Sequence, residues 1–297
     1  MKEYICIDIG GTSIKYGVIR EDAQFLETSS TPTQAMQIGG PGIVRKVTGI
    51  IEELSGRYAA QGICISTAGM VDCEAGTITY AAPLIPDYTG TQWKKTLQER
   101  FRLPCEVEND VNCAGLAEYH AGAARGSKIS VCLTIGTGIG GAILLDGKVF
   151  HGFSGSGCEV GYMHLPGGAF QDLGATSVLS GKVAAYKGIS AEEADGKYIF
   201  DQARAGDPDC IRAIDEMTDI LGMGIANICY VINPEVVVLG GGIMAEKEYL
   251  SERMRRSLDR WLLPSVAAHT RLAFAENRNR AGMLGAFYHF QARHTSE

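Results

Sequence analysis

The alternation of apolar runs and glycine turns predicts two similar hairpins in this chain. The stretch "YICIDIGGTSIKYGVI" aligns with "SVCLTIGTGIGGAILL", which places Cys6 on Cys132 and Gly10 on Gly136 at one offset of 126 residues. Each copy contains a β-rich run, a glycine turn and a second β-rich run, a pattern typical of a β-hairpin. Two copies at a fixed offset indicate an internal duplication.

Each hairpin is followed by elements of the same kind. Apolar residues at helical spacing predict helices over 43–58 and 208–230, and apolar runs at 62–67 and 235–242 predict buried strands after them. Each half is therefore expected to contain, in order, a hairpin, a helix, a strand, a second helix, a second strand and a third helix.

A second pair of similar stretches lies near the end of each half. The stretch "VENDVNCAGLAEYH" (107–120) resembles "AENRNRAGMLGAFYH" (275–289), and matching the shared Glu-Asn pairs Asp110 with Arg278 at an offset of 168. A carboxylate in one half then corresponds to a cation in the other. Maintenance of the fold alone does not require an aspartate at position 110.

These repeats predict an α/β protein with two duplicated lobes around a central cleft, the kind of place where ligands usually bind. We expect an N-terminal lobe over 1–120, joined by a C-terminal helix over 279–292, and a C-terminal lobe over 121–278. The alternative is one large doubly wound sheet in which the internal similarity is accidental.

Composition removes several classes of function. The 297 residues carry a net charge of −7, and 45% of them are hydrophobic. An acidic chain of this kind argues against a nucleic-acid surface, where a basic patch is expected. No apolar run reaches the roughly 18 residues that a membrane helix needs, and no signal-peptide pattern is present. The nine cysteines lack C-x-x-C spacing, which suits a reducing cytoplasm.

The glycine turns of the two hairpins are suited to bind phosphate, because glycines let backbone N–H groups approach an anion without an intervening Cβ. Asp8 suits a hydrated Mg²⁺ ion held through water, since this ion prefers oxygen ligands and keeps much of its water. A magnesium-bound nucleoside triphosphate fits these groups. The candidate phosphate contacts are Gly10, Gly11 and Thr12 in the first turn and Gly136, Thr137 and Gly138 in the second.

Two other nucleotide motifs do not fit. Gly136-x-Gly138-x-x-Gly141 leads into another strand rather than a helix, so it is not a dinucleotide fingerprint. The glycines at 240–242 do lead toward a helix, but no acidic residue ends a clear strand about twenty residues later. We expect Gly240 and Gly241 to let an adenosine lie against bare backbone. No G-x-x-x-x-G-K-[ST] sequence occurs.

The ordered motifs "DIGGTSIK", "ENDVNC", "LTIGTGIGGA", "GCEVGYM" and "VVLGGGI" resemble those of the ROK family of bacterial sugar kinases over essentially the whole chain. This resemblance implies the actin-like, ribonuclease-H-type fold. It also implies ATP as phosphoryl donor, with both glycine turns on the phosphates and "LGGG" near adenosine. The reaction implied is in-line transfer of the γ-phosphate to a sugar hydroxyl, the primary 6-OH, with Asp110 as the base.

Position in the predicted elements leaves alternatives open for two of the candidate site residues. Asp110 also lies where a strand gives way to a helix, so its position alone equally allows a helix N-cap. Lys15 is either a phosphate ligand or an ion-paired strand residue. The resemblance to the ROK family further implies which residues contact the sugar, namely Gly69, Asn109, Asp110 and Glu159.

One departure from the family concerns zinc. ROK proteins usually follow this glutamate with glycine-histidine and a cysteine-rich zinc loop, but here Tyr162 replaces the histidine and residues 163–182 contain no cysteine. Thr176 stands where a sugar-binding glutamate of that loop is expected. The six histidines show no familiar ligand spacing, so we expect no zinc.

The same departure bears on the acceptor. Fewer groups around the reducing end leave room for an aglycone or a second sugar, and Tyr162 could stack on it, so a β-glucoside of the cellobiose type is favoured. The alternatives are a glucokinase, an N-acetylmannosamine kinase, or a non-catalytic actin-like ATP-binding module. We expect a cytoplasmic homodimer.

Overall fold

The computed structural model describes residues 1–83 and 85–294, and the chain divides into two compact units. Unit 1 comprises residues 1–120, 151–156 and the chain from 279 onward, and unit 2 comprises 121–150 and 157–278. The sequence placed 151–156 with the second half. This assignment is wrong, because His151 hydrogen-bonds Glu108 of unit 1 at 2.7 Å.

The described strands of unit 1 are β1 (Glu3–Ile9), β2 (Ser13–Arg20), β3 (Phe25–Pro32), β4 (Ile63–Thr67), β5 (Met70–Asp72), β6 (Thr77–Tyr80) and β7 (Cys105–Asn109). Five of them form one sheet in the order β3-β2-β1-β4-β7. The strands β1, β4 and β7 run parallel, and β2 pairs antiparallel with both β1 and β3. β4 is buried along its whole length, as expected for a central parallel strand covered on both faces.

The described helices of unit 1 are α1 (Ala35–Ser55), α2 (Trp93–Phe101), α3 (Asp110–Ala121, which ends on the first residue of unit 2) and α10 (Ala281–His294). α1 begins eight positions before the predicted start at residue 43. Gly39, at φ 57°, and Pro41 interrupt it, and these helix breakers concealed the first turns from the sequence pattern.

The described strands of unit 2 are β8 (Ile129–Ile135), β9 (Ile139–Leu145), β10 (Lys148–Val149), β11 (His164–Leu165), β12 (Gly168–Ala169), β13 (Val236–Gly240) and β14 (Arg271–Phe274). The main sheet has the order β10-β9-β8-β13-β14. β9 pairs antiparallel with β8, and β13 pairs parallel with β8 and β14. This order and these directions repeat those of unit 1.

The described helices of unit 2 are α4 (Phe170–Gly174), α5 (Thr176–Lys187), α6 (Gly196–Arg204), α7 (Pro208–Ile232), α8 (Lys247–Trp261) and α9 (Pro264–Ala267). Short 3-10 helices lie at Val160–Tyr162 and Gly242–Ala245. The predicted helix over 208–230 is α7, and its N-cap Asp207 accepts a hydrogen bond from Cys210 N at 2.9 Å. None of the helices in the described part of the chain is long and apolar enough to cross a membrane.

The hydrogen-bond registers relate the two sheets residue by residue. We start from Ile7 and Leu133, which are equivalent at the offset of 126, and step across the paired residues of each sheet. In unit 1 this path leads to Val107 of β7, and in unit 2 it leads to Phe274 of β14, so the offset for the last strand is 167. Carried three residues beyond the equivalent strand positions Val107 and Phe274, this offset matches Asp110 to Asn277 rather than to Arg278. The sequence match followed a shared Glu-Asn dipeptide, whereas the sheet aligns the strands one residue earlier.

Candidate active site

Asp8 lies near the end of β1, and its buried carboxylate is held from three sides within unit 1. Its Oδ1 accepts a hydrogen bond from Ser66 Oγ of β4 at 2.7 Å, and Lys15 Nζ of β2 lies 3.5 Å from Oδ2. Helix α10 passes directly against it, because a Cβ on Gly282 would lie 2.3 Å from Asp8 Cγ. Lys15 is thus an ion-paired strand residue in this structure.

The turn after Asp8 is anchored by a threonine. Thr33 Oγ1 donates to the Gly10 carbonyl at 2.6 Å, and Thr33 N donates to the Thr12 carbonyl at 2.9 Å. A Cβ on Gly11 would meet nothing within 4 Å. The chain itself therefore does not require glycine at position 11, and the turn offers open backbone.

Asn109 at the end of β7 is the N-cap of α3. Its Oδ1 accepts hydrogen bonds from the backbone N–H groups of Val111 at 2.9 Å and Asn112 at 3.1 Å, which is the bonding of a capping side chain. Its Nδ2 donates to Gly69 O at 2.9 Å and to Asp110 Oδ1 at 3.0 Å. All four hydrogen bonds that an amide side chain can make are thus used inside unit 1.

The capping role of Asn109 removes the main alternative for Asp110, because the cap lies one residue earlier. Asp110 Oδ1 accepts from Asn109 Nδ2 and from Val111 N, both at 3.0 Å. Burial, followed by the charge of Asp8, raises the pKa of Asp110 to about 7, although these hydrogen bonds favour the charged form. A carboxyl that titrates near neutral pH can accept or release a proton during a reaction.

Gly69 completes the unit 1 group, and its conformation requires glycine. Its φ is 99°, and a Cβ would lie 2.8 Å from Tyr80 O. The structure thus brings Gly69, Asn109 and Asp110 together through hydrogen bonds, with Asp8 as the charged neighbour of the Asp110 carboxyl.

The second glycine turn joins β8 to β9 in unit 2. Gly136 N donates to Gly138 O at 2.9 Å, and a Cβ on Gly136 would meet nothing within 4 Å. Helix α5 begins beside this turn, because Thr176 N donates to Gly136 O at 2.9 Å and Ser177 Oγ donates to Thr137 O at 2.7 Å. The N-terminus of a helix favours negative charge.

A cavity of about 530 Å³ opens beside this turn, a size typical of small-molecule sites. The sequence indicated the turn and the glycine pair before Gly242, but it gave no signal for the polar residues that α5 and α6 contribute. Thr176 belongs to this cavity. The lining residues are Gly136, Thr137, Thr176, Ser177, Ser180, Gly196, Lys197, Gly242, Ile243 and Glu246.

The two glycines at the end of β13 have different reasons to be glycine. Gly241 has φ 109°, and its Cβ would lie 2.0 Å from Ile135 O, so the fold itself requires glycine there. Gly240 has only ordinary contacts at 3.5 Å or more. Gly242, the next residue, is the one that lines the cavity.

Glu159 and Tyr162 belong to unit 2, where Glu159 precedes a 3-10 helix packed on β9 and Tyr162 is the last residue of that helix. This packing requires two glycines, because a Cβ on Gly141 would lie 2.7 Å from Cys158 O and a Cβ on Gly161 would lie 2.2 Å from Ile139 O. Burial raises the pKa of Glu159. Tyr162 is 52% exposed, so its ring is available to a ligand.

Comparison with known proteins identifies the family. A model of the ROK family matches residues 4–293. The chain belongs to the ROK family. A β-glucoside kinase from Klebsiella pneumoniae is 33% identical over 297 residues, which cover 97% of this chain and 96% of that protein.

Solved structures of ROK proteins match the whole chain. A candidate N-acetylmannosamine kinase from Listeria monocytogenes has a TM-score of 0.89 at 30% identity, covering 99% of this chain and 100% of the other. A ROK glucokinase from Streptomyces griseus, solved with glucose and AMPPNP, has a TM-score of 0.82 at 28% identity, covering 96% and 97%. The fold is thus the two-lobed actin-like fold expected from the sequence, and the chain is a sugar kinase of the ROK family.

In this ROK chain the segment 163–182, where the family's zinc loop is expected, forms the β11–β12 hairpin, α4 and the first half of α5. The residues of that segment include no cysteine. Thr176, expected from the sequence to stand where that loop has a sugar-binding glutamate, donates its backbone N–H to Gly136 O of the glycine turn.

Proposed function

We propose that this ROK protein transfers the γ-phosphate of MgATP to the 6-hydroxyl of a hexose unit, with a β-glucoside of the cellobiose type as the favoured acceptor. The observation that carries this proposal is the Asp110 carboxyl. It is freed from capping by Asn109, held by a hydrogen bond from Asn109 Nδ2, and has its pKa raised to about 7.

Asp110 acts as general base in this proposal. The acceptor oxygen forms a bond to the γ-phosphorus while the bond from that phosphorus to the β–γ bridging oxygen breaks. The hydroxyl proton passes to Asp110, and ADP leaves. Asn109 was expected to contact the sugar directly. Because its four hydrogen bonds are already made within unit 1, we now assign it to the positioning of Asp110 and Gly69.

The nucleotide is assigned to the unit 2 cavity, with its phosphates on the open turn at Gly136–Gly138 and near the N-terminus of α5. The AMPPNP complex of the Streptomyces griseus glucokinase supports ATP as donor. We place the turn at Gly10–Thr12 on the phosphates as well. Asp8 would hold a hydrated Mg²⁺, since the partner of its Oδ2 among the described residues is the partly exposed Lys15, at 3.5 Å.

Two observations support a β-glucoside as the acceptor: the exposed ring of Tyr162, and the similarity of the chain to the Klebsiella pneumoniae β-glucoside kinase. A tyrosine offers an apolar face and a polar tip, which suit a second pyranose or an aromatic aglycone. The Listeria monocytogenes structure favours a second candidate, N-acetylmannosamine, and the Streptomyces griseus structure favours free glucose.

A coupled assay of ADP release tests this proposal over glucose, mannose, N-acetylmannosamine, N-acetylglucosamine, cellobiose and an aryl-β-glucoside. We expect kcat/KM for cellobiose or the aryl-β-glucoside to be at least comparable to that for glucose. If the β-glucosides were not phosphorylated while one of the monosaccharides was, that monosaccharide would become the assigned acceptor. ATP turnover that no sugar stimulates would instead identify a non-catalytic ATP-binding module.

A further inference from the structure

A cluster of metal-binding side chains lies in unit 1 around the buried carboxylate of Glu108. The Nε2 of His151 is 2.7 Å from Glu108 Oε2, and the Sγ of Cys73 is 3.6 Å from His151 Nε2. Among the described residues, the ligand atoms of these three side chains lie within 4.8 Å of one another. The sequence gave no sign of this group, because its members come from separate elements with no common spacing.

The Glu108 carboxylate is oriented so that one oxygen faces this cluster. Its Oε1 accepts hydrogen bonds from Asn109 N at 2.8 Å and Asn112 Nδ2 at 3.0 Å. Its Oε2 faces His151. Hydrogen bonds to one oxygen of a carboxylate that leave the other directed at a site are the outer-sphere arrangement typical of metal ligands.

A second histidine adjoins the same oxygen. His289 of α10 is buried, and its Nδ1 lies 3.4 Å from Glu108 Oε2. Its Nε2 has no hydrogen-bond partner within the described part of the chain. A buried ring nitrogen without a partner is uncommon in folded proteins. The nitrogen that faces Glu108 is Nδ1, however, so His289 is a neighbour of the cluster and not one of its three grouped ligands.

The donor set identifies the class of ion. Thiolate, imidazole and carboxylate donors together suit Zn²⁺ and other late first-row metals, whereas Mg²⁺ and Ca²⁺ prefer oxygen alone. With metal–ligand bonds of roughly 2.0–2.3 Å, two ligand atoms in a tetrahedral site lie roughly 3.3–3.7 Å apart. The Cys73–His151 separation of 3.6 Å already matches this spacing, whereas His151 Nε2 and Glu108 Oε2 are at the hydrogen-bond distance of 2.7 Å and would move apart when the ion enters.

We propose that Cys73 Sγ, Glu108 Oε2 and His151 Nε2 form a zinc-type metal site in unit 1, with the buried ring of His289 beside Glu108 Oε2 as a neighbour. This site is separate from the segment 163–182 in which the family's zinc loop is expected. Binding requires the thiolate, so the Cys73 thiol releases its proton to solvent when the ion enters.

The ion would tie the segment 151–156 to Glu108 of β7 and to Cys73, which directly follows β5. That segment is followed in the chain by Cys158 and Glu159, and Glu108 directly precedes Asn109 and the proposed base Asp110. The site would therefore stabilise two segments that carry proposed acceptor-binding groups, although none of its ligands is assigned to contact the acceptor.

The test is titration of the chelator-treated full chain with Co²⁺, which reports a thiolate ligand through a charge-transfer absorption band. We expect one Co²⁺ per chain with this band, and displacement of Co²⁺ by Zn²⁺. Cys73→Ser should abolish the band, and Cys73→Ser and His151→Asn should each weaken binding at least about tenfold, by analogy with the loss from outer-sphere changes. Circular dichroism confirms that each variant is folded.

Matched controls are Cys158→Ser and His164→Asn, whose side chains lie outside the cluster and which should bind Co²⁺ like the unmodified chain. The absence of the band in the unmodified chain would overturn the proposal and leave Glu108 and His151 as an ion pair. Equal binding by the unmodified chain, Cys73→Ser and His151→Asn would overturn it as well, by placing the metal elsewhere.

Discussion

The sheets of unit 1 and unit 2 have the same strand order and the same ladder directions, yet different groups follow the last strand of each sheet. In unit 1 the register places Asp110 there, and in unit 2 it places Asn277. The unit 2 sheet has the same strand order without a carboxylate at this position, so this sheet architecture does not by itself require one. A difference between two otherwise equivalent positions therefore indicates chemistry more directly than either position alone.

The glycines of the two units support the same distinction. Gly282 and Gly241 are required by the chain itself, because a Cβ would lie 2.3 Å from Asp8 Cγ at the first and 2.0 Å from Ile135 O at the second. Gly11 and Gly136 lie in open turns, with nothing within 4 Å of a Cβ. Glycine at an open turn without steric need is explained by close approach of a ligand to the backbone.

The largest expected effect comes from replacing the proposed base, Asp110. Asp110→Asn should reduce kcat/KM for the sugar by roughly 10² to 10⁴-fold, the usual contribution of a positioned general base, while nucleotide affinity stays close to that of the unmodified enzyme. Steady-state kinetics and nucleotide titration measure both. Asn277→Asp, the matched change in unit 2, should retain near-normal activity. An equal loss in the two variants would contradict the assignment of the base to unit 1.

The next effect separates required glycines from open ones. Gly241→Ala should lower the free energy of unfolding by roughly 2 to 4 kcal/mol, because it combines a steric clash with a left-handed backbone. Gly136→Ala should leave stability unchanged and weaken nucleotide binding roughly tenfold, about 1.4 kcal/mol. Urea unfolding and nucleotide titration of both variants test this pair. Unchanged nucleotide affinity in Gly136→Ala would remove that turn from the phosphate site.

A smaller effect is expected on the pH dependence of the free energy of unfolding, through the protonation of Asp110. The pKa of Asp110 is raised from its ordinary 3.8 to about 7 in the fold. The folded state therefore binds more protons than the unfolded state between these values, so this group lowers stability progressively as pH rises from about 4 to 7. Asp110→Asn removes that loss. The stability of the variant relative to the unmodified chain should be roughly 2 to 3 kcal/mol more favourable at pH 8 than at pH 5. Urea unfolding at both pH values measures it, and a constant difference would contradict the raised pKa.

The smallest expected effect concerns the acceptor. Tyr162→Ala should raise KM for cellobiose roughly two- to tenfold more than KM for glucose, since ring contacts contribute roughly 0.5 to 1.5 kcal/mol. Tyr186→Ala, another partly exposed tyrosine of unit 2, is the matched control and should leave both constants unchanged. Equal effects of Tyr162→Ala on the two sugars would show that its ring does not contact the second pyranose.

The sequence predicted the duplicated lobes and the two open turns because strand patterns, glycines and their order along the chain are local signals. It failed where the decisive fact is a pairing in space. The one-residue shift between Arg278 and Asn277 is visible only in the strand registers. The polar groups that α5 and α6 bring to the cavity, and the meeting of Cys73 with His151, likewise depend on packing between elements distant in the chain.

Asn109 shows a subtler limit. From the sequence, Asn109 was expected to contact the sugar, and the alternative role of helix N-cap was considered for Asp110 alone. Only the hydrogen bonds of the folded chain assign the cap to Asn109 and release the neighbouring carboxylate. The identity of two adjacent polar residues did not determine which of them performs which role.

The most direct test of the central claim, that Asp110 is the base, is the pH dependence of kcat/KM for the sugar at saturating MgATP. The base must be deprotonated to accept the hydroxyl proton, and its pKa is about 7. The rate constant should therefore fall about tenfold per pH unit below this value and level off above it, and the residual activity of Asp110→Asn should lack this break. A flat profile between pH 5.5 and 8, or the same break in Asp110→Asn, would contradict the account.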